Sequence, residues 1–194
     1  MFDRQGSKKG ESLVCTLLIF HCAANDDIVI SVSPVRRRAV QKAQNTLSDN
    51  QKKHILIFGY PNSGKTSLGV SIATEYTIKK RIGFYTTAMK TAILFQNSDS
   101  ELQKTYNLDW SWRDADILVI DDIDIGGNNP DVITPDFFHA IQEQSLYKTK
   151  NLSALQTKTV IWIVGNSSTK TQWLNYLHNI EIPNENIVSI HLQE

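Results

Sequence analysis

The chain has 194 residues, with 20 Lys plus Arg balanced by 20 Asp plus Glu, so its formal net charge at pH 7 is zero. Hydrophobic residues make up 41%, enough for the core of one α/β domain with an N-terminal appendage. Neutrality argues against a strongly basic nucleic-acid binder while leaving room for a local basic patch. Two cysteines, Cys15 and Cys22, give neither a disulfide framework nor a metal-ligand spacing.

Residues 1–11 are polar and read as a disordered lead. The apolar run Leu13 to Phe20 is shorter than the roughly 20 residues a membrane span needs. Lys8 and Lys9 before it and Cys22-Ala23-Ala24 after it give the outline of a signal peptide, but Asp3 and Glu11 spoil the positive leading region, and a buried strand is the better reading. Ser12 to His21 and Asp27 to Ser33 read as two strands around an Ala-Asn-Asp-Asp turn. Ser33-Pro34 is a helix start, and that helix runs to about Leu47. It carries Arg36-Arg37-Arg38, a dense basic cluster better read as a solvated helix face than as a phosphate contact. Ser48 to Gln51 is a linker. The expected organisation is therefore an extension over residues 1–51, a β-hairpin plus a helix, and a core over 52–194.

His54 to Phe58 reads as a short buried strand. Gly59-Tyr60-Pro61-Asn62-Ser63-Gly64-Lys65-Thr66 follows, the pattern G-x-x-x-x-G-K-[ST] of a phosphate-binding loop, and Lys65 to Lys80 has helical character. Strand, glycine-rich turn and helix together make the string a site. The turn's backbone N–H groups form an anion nest, and the helix adds its positive N-terminal end. Residues Gly59 to Ser67 are the expected cradle, with Lys65 reaching the β- and γ-phosphates and the Thr66 hydroxyl a ligand for Mg²⁺.

Beyond the loop the segments alternate. Ile82 to Thr86 reads as a strand, Ala88 to Tyr106 as mostly helix, and Asp116 to Asp121 as a strand whose apolar stretch suits the inside of a parallel sheet. It ends in Asp121-Asp122. The first carboxylate is the candidate Mg²⁺ holder and the second the candidate general base, with Asp124 a lesser candidate. Pro135 to Tyr147 reads as a helix, Thr159 to Val164 as a strand, Lys170 to His178 as a helix and Ile187 to Leu192 as a last strand. Asn166, just after the strand ending at Val164, is placed to orient the lytic water beside the ligand crevice. The expected fold is α/β, a three-layer P-loop NTPase sheet of five mostly parallel strands with helices on both faces. Trp110 and Trp112 are read as anchors of a neighbouring loop rather than as base-stacking platforms.

Loop, strand with Asp-Asp, then strand with Asn: in that order the sites resemble the AAA+ class of ATPases over about residues 52–192. Arg81 to Ala88 and Ala115 to Ile123 resemble helicase-loader and transposition-helper ATPases. The loop itself, with Asn62 where ordinary AAA+ loops have glycine, is similar to superfamily 3 helicases of small viruses and plasmids. In those helicases the region around Lys148, Lys150 and Lys158 carries a DNA-contacting hairpin. The resemblance implies ATP with Mg²⁺ as cofactors, catalytic roles for Lys65, Asp122 and Asn166, and Mg²⁺ at Thr66 and Asp121. It also implies a role in a nucleic-acid process such as DNA replication or transposition, acting in the cytoplasm or, for a viral protein, inside the host cell. The family pattern departs in one place: from Asn166 to Glu194 there is no arginine, and the chain stops where a helical lid would begin. The expected partners are therefore further copies or another ATPase supplying an arginine finger, and single-stranded nucleic acid, with no membrane. The alternatives are a helicase core, or a nucleotide switch that binds ATP and a protein partner with little turnover.

Overall fold

A computed structural model describes residue 42 and residues 52–78, 82–106, 111–123, 134–165 and 170–192. The expected N-terminal hairpin and helix (Lys42, which is helical, excepted), both cysteines, the Arg36–Arg38 cluster, Trp110, Asp124 and Asn166 lie outside the described residues.

Among the described residues five strands form one sheet: β1 (His54–Gly59), β2 (Gly83–Thr87), β3 (Ile117–Ile123), β4 (Thr159–Val164) and β5 (Ile187–Leu192). Their spatial order is β2-β3-β4-β1-β5 and every neighbouring pair is parallel. Parallel strands need crossovers, and the chain supplies them as helices α1 (Lys65–Ile78), α2 (Ala88–Gln96), α3 (Asp99–Tyr106), α4 (Pro135–Gln144), α5 (Lys148–Gln156) and α6 (Lys170–Asn179). A sheet covered on both faces wants apolar residues at consecutive positions. Ile55-Leu56-Ile57 and Val160-Ile161-Trp162-Ile163-Val164 are accordingly buried throughout.

Alternation along the strands divides these residues between two cores. Leu56, Phe58, Leu118, Ile120, Val160 and Trp162 face Phe95 of α2, Phe138 of α4, Leu155 of α5 and Trp173 and Tyr176 of α6. Ile55, Ile57, Val119, Ile161 and Ile163 face Ile72 and Tyr76 of α1. Each such side chain contributes about 1.5–3 kcal/mol by leaving water.

Three segments refine or depart from expectation. The stretch 88–106, read as mostly helix, holds two helices. Asn97 adopts an extended conformation (φ −111°, ψ 152°). The Ser98 N–H then donates to Glu101 Oε2 at 2.8 Å, and the Glu101 N–H to Ser98 Oγ at 3.3 Å, so a capping box restarts the chain as α3. The guanidinium of Arg113 fills the gap, donating to the carbonyls of Leu94 and Asn97 and pairing with Asp99 at 2.6 Å. Second, α4 stops at Gln144 rather than Tyr147. Ser145 turns the backbone and donates its hydroxyl to the Phe95 carbonyl. Third, the region compared with a DNA-contacting hairpin is helix α5. Its Asn151 is buried and donates to the Phe95 carbonyl at 2.9 Å. Lys158 is also buried, donating to the carbonyls of Trp112 and Arg113 at 2.7 and 3.1 Å, and burial above all lowers its ammonium pKa to about 8. Trp112 is a buried anchor, its indole N–H on the Leu94 carbonyl.

Candidate functional site

Because all five strands run the same way, β1 and β3 end at the same edge of the sheet, with β4 between them. The glycine-rich loop leaves β1 at that edge. Its Ser63 N–H closes a turn on the Tyr60 carbonyl at 3.2 Å, and the Leu68 N–H on the Gly64 carbonyl at 2.9 Å opens α1. Two loop residues are left-handed, Asn62 (φ 64°) and Gly64 (φ 88°). Asparagine is among the few residues other than glycine that accept this conformation readily. Gly59 is required for a different reason: a Cβ there would lie 2.6 Å from the Leu192 carbonyl oxygen and 2.6 Å from Ser63 Oγ, so no side chain fits between β1, β5 and the loop.

The loop's polar groups suit an anion. Ser63 Oγ is buried and has no hydrogen-bond partner among the described residues, a donor that a phosphate oxygen would satisfy. The Lys65 ammonium folds back on the loop, donating to the carbonyls of Gly59 at 2.6 Å and Tyr60 at 2.7 Å. Partial desolvation lowers the Lys65 pKa, and the negative charge of Asp121 opposes that shift. Tyr60, Pro61, Thr66 and Ser67 are exposed around the cradle.

The acidic pair sits on an irregularity of β3. The register with β4 shifts between Ile120 and Ile123, a bulge that re-aims side chains at the strand's end. Asp122 takes a left-handed conformation (φ 56°) and its N–H donates to Asp121 Oδ1 at 2.7 Å. Asp121 is 3% exposed while Asp122 is open to solvent. Desolvation, and then the charge of Asp121, raise the Asp122 carboxyl above the usual range. The two carboxylates are thus distinct: one buried and hydrogen-bonded, one open, with a raised proton affinity.

Lys65 and Asp121 are electrostatically coupled, and the structure brings their loop and strand end to one edge. It adds one residue that the motifs did not indicate. Tyr85 of β2 donates its hydroxyl to Asp121 Oδ2 at 2.7 Å. No motif marks a tyrosine 36 positions upstream; only the strand register puts it there.

The sequence family described as "ATPase family associated with various cellular activities (AAA)" matches residues 55–172. A comparison with the curated proteins finds no match. Among solved structures, the chain is similar to the DnaC helicase loader (TM-score 0.54, 16% identity, 83% of this chain and 92% of that one). It is also similar to domain III of the replication initiation protein DnaA of Thermotoga maritima (TM-score 0.50, 18% identity, 83% of this chain and 63% of that one). A third neighbour is a DNA replication initiation factor (TM-score 0.50, 17% identity, 82% of this chain and 47% of that one). At such identities the likeness speaks for the shared fold.

Proposed function

The chain belongs to the AAA family of ATPases, and from that premise we propose that it binds ATP with Mg²⁺ on the loop Gly59 to Ser67, hydrolyses it, and works in a nucleic-acid process such as DNA replication. The observation that carries the reading is the meeting at one sheet edge of an anion-shaped loop with a buried carboxylate coupled to its lysine. The likeness in fold to a helicase loader and to replication initiators supports the choice of process.

The loop's N–H groups and the start of α1 hold the phosphates, and Ser63 Oγ adds a donor. Lys65 leaves the Gly59 and Tyr60 carbonyls for the β- and γ-phosphates, exchanging two neutral acceptors for charged ones. Thr66 and Asp121 are the residues that would hold Mg²⁺. Bound with the nucleotide, Mg²⁺ supplies neutralisation of charge on the phosphoryl oxygens. Asp122 accepts the proton of the attacking water; its openness to solvent and raised proton affinity suit a general base better than those of Asp121. Asn166 orients that water. The arginine finger is proposed to come from a neighbouring copy or a partner ATPase. A second reading is a nucleotide switch with little turnover of its own. With α5 where a superfamily 3 hairpin was compared, the helicase reading rests on Asn62, the paired acids Asp121-Asp122 and Asn166 after the strand.

ATP hydrolysis by the wild type and by Asp122→Asn, with and without single-stranded DNA, tests the proposal. Turnover stimulated by DNA in the wild type, and reduced at least about a hundredfold in the variant with ATP binding intact, is expected for loss of a general base. Tight ATP binding without turnover under any condition would leave the switch reading.

A further inference from the structure

Both oxygens of the Asp121 carboxylate have donors. Oδ1 accepts the Asp122 N–H at 2.7 Å and Oδ2 accepts the Tyr85 hydroxyl at 2.7 Å. The first bond is local to the bulge, while the second crosses from another strand. In the β2–β3 register Tyr85 pairs with Val119 and Thr87 with Asp121. Side chains two positions apart share a face, so Tyr85 lies one strand over and two positions back on the face that carries Asp121. Tyr85 is 47% exposed whereas Asp121 is 3% exposed. A half-exposed ring on an edge strand thus sends its polar end inward to a buried carboxylate. Hydrogen bonds to a charged oxygen are the stronger kind. Fixed at both oxygens, the carboxylate is held in one orientation, and each oxygen keeps a lone pair for a further donor.

We infer that Tyr85 is a positioning residue that sets the orientation of Asp121 toward the Mg²⁺ of a bound nucleotide. The inference rests on the reading of Asp121 as the Mg²⁺ carboxylate. Outer hydrogen-bond partners of a metal-holding carboxylate fix its geometry, and their removal weakens metal binding.

Tyr85→Phe removes one hydroxyl and leaves the ring and the strand pairing in place. The readout is the affinity of the full chain for a fluorescent ATP analogue across a Mg²⁺ titration, which needs no turnover. The inference expects unchanged affinity without Mg²⁺ and a Mg²⁺ midpoint raised about tenfold. It also expects no further change when Tyr85→Phe is added to Asp121→Asn, because the hydroxyl then has no charged carboxylate to orient. A midpoint within twofold of the wild type, a lower midpoint, or an equal shift in both backgrounds overturns it. If the wild type fails to bind the analogue at all, the nucleotide reading itself falls and takes the inference with it. Binding in the wild type with an unmoved midpoint in Tyr85→Phe overturns the inference alone.

Discussion

At the scale of single residues, Gly59 stays bare because a Cβ there would meet the Leu192 backbone and Ser63 Oγ. The glycine-rich pattern alone supplies only a general reason for Gly59, tight bending and close approach, and the packing around it supplies this particular one. In the sequence His54 is only the first residue of a buried strand, with no sign of its bonding. It lies buried at the start of β1, its Nε2 donating to the Leu155 carbonyl at 3.1 Å while its Nδ1 accepts from the Trp162 indole at 3.2 Å. The indole bond needs the neutral ring, whereas the bond to Leu155 is made by either form. Burial first, opposed by the Leu155 bond, lowers its pKa from 6.5 to about 4. The folded state therefore resists protonation more than the unfolded one. The stability so held is fully present above pH 6.5 and is lost as the pH falls from there toward 4, amounting to on the order of 3 kcal/mol. Urea unfolding across that window should show a falling free energy in the wild type and a shallower slope in His54→Gln, whatever its baseline. Equal slopes would remove His54 from the acid response.

At the scale of elements, β1, β4 and β5 matched expectation within one residue because their flanks and apolar runs agree. The breaks in the helical segments were harder. The Ser98-x-x-Glu101 capping box is a local signal that the apolar pattern of 88–106 masked, and it was there to be found. The stop at Ser145 was not, because its partner is the Phe95 carbonyl, 50 residues upstream. Helix α1 illustrates a packing constraint that a sequence states only as a glycine. A Cβ on Gly69 would lie 2.7 Å from Ile163 Cδ1 and 3.3 Å from Ile161 Cγ2, so α1 approaches β4 as closely as it does because that position is bare. Gly69→Val should therefore overpack this contact and cost about 1–3 kcal/mol. In a chain of this size each kcal/mol lowers the melting temperature by about 2–4 °C. Calorimetry would read it, and a variant as stable as the wild type would show that α1 can shift without cost.

For the molecule as a whole, the run of alternating strands and helices announced a parallel α/β sheet, but not the order β2-β3-β4-β1-β5. That order places β4 between the loop strand and the acidic strand, and β2 at an edge beside Asp121. Strand order depends on which crossovers pack back on which face, and no local stretch records it. The contact between Tyr85 and Asp121 follows from it and was invisible for the same reason. What the sheet assembles at the carboxyl ends of β1 and β3 is an anion-shaped loop, a lysine resting on neutral carbonyls, and two carboxylates of different character. The most direct test of that assembly is an equilibrium titration of ATP with Mg²⁺ onto the wild type and onto Lys65→Ala, both checked for folding. The account predicts saturable binding by the wild type and none detectable in Lys65→Ala. ATP affinity that survives the loss of Lys65 would contradict it.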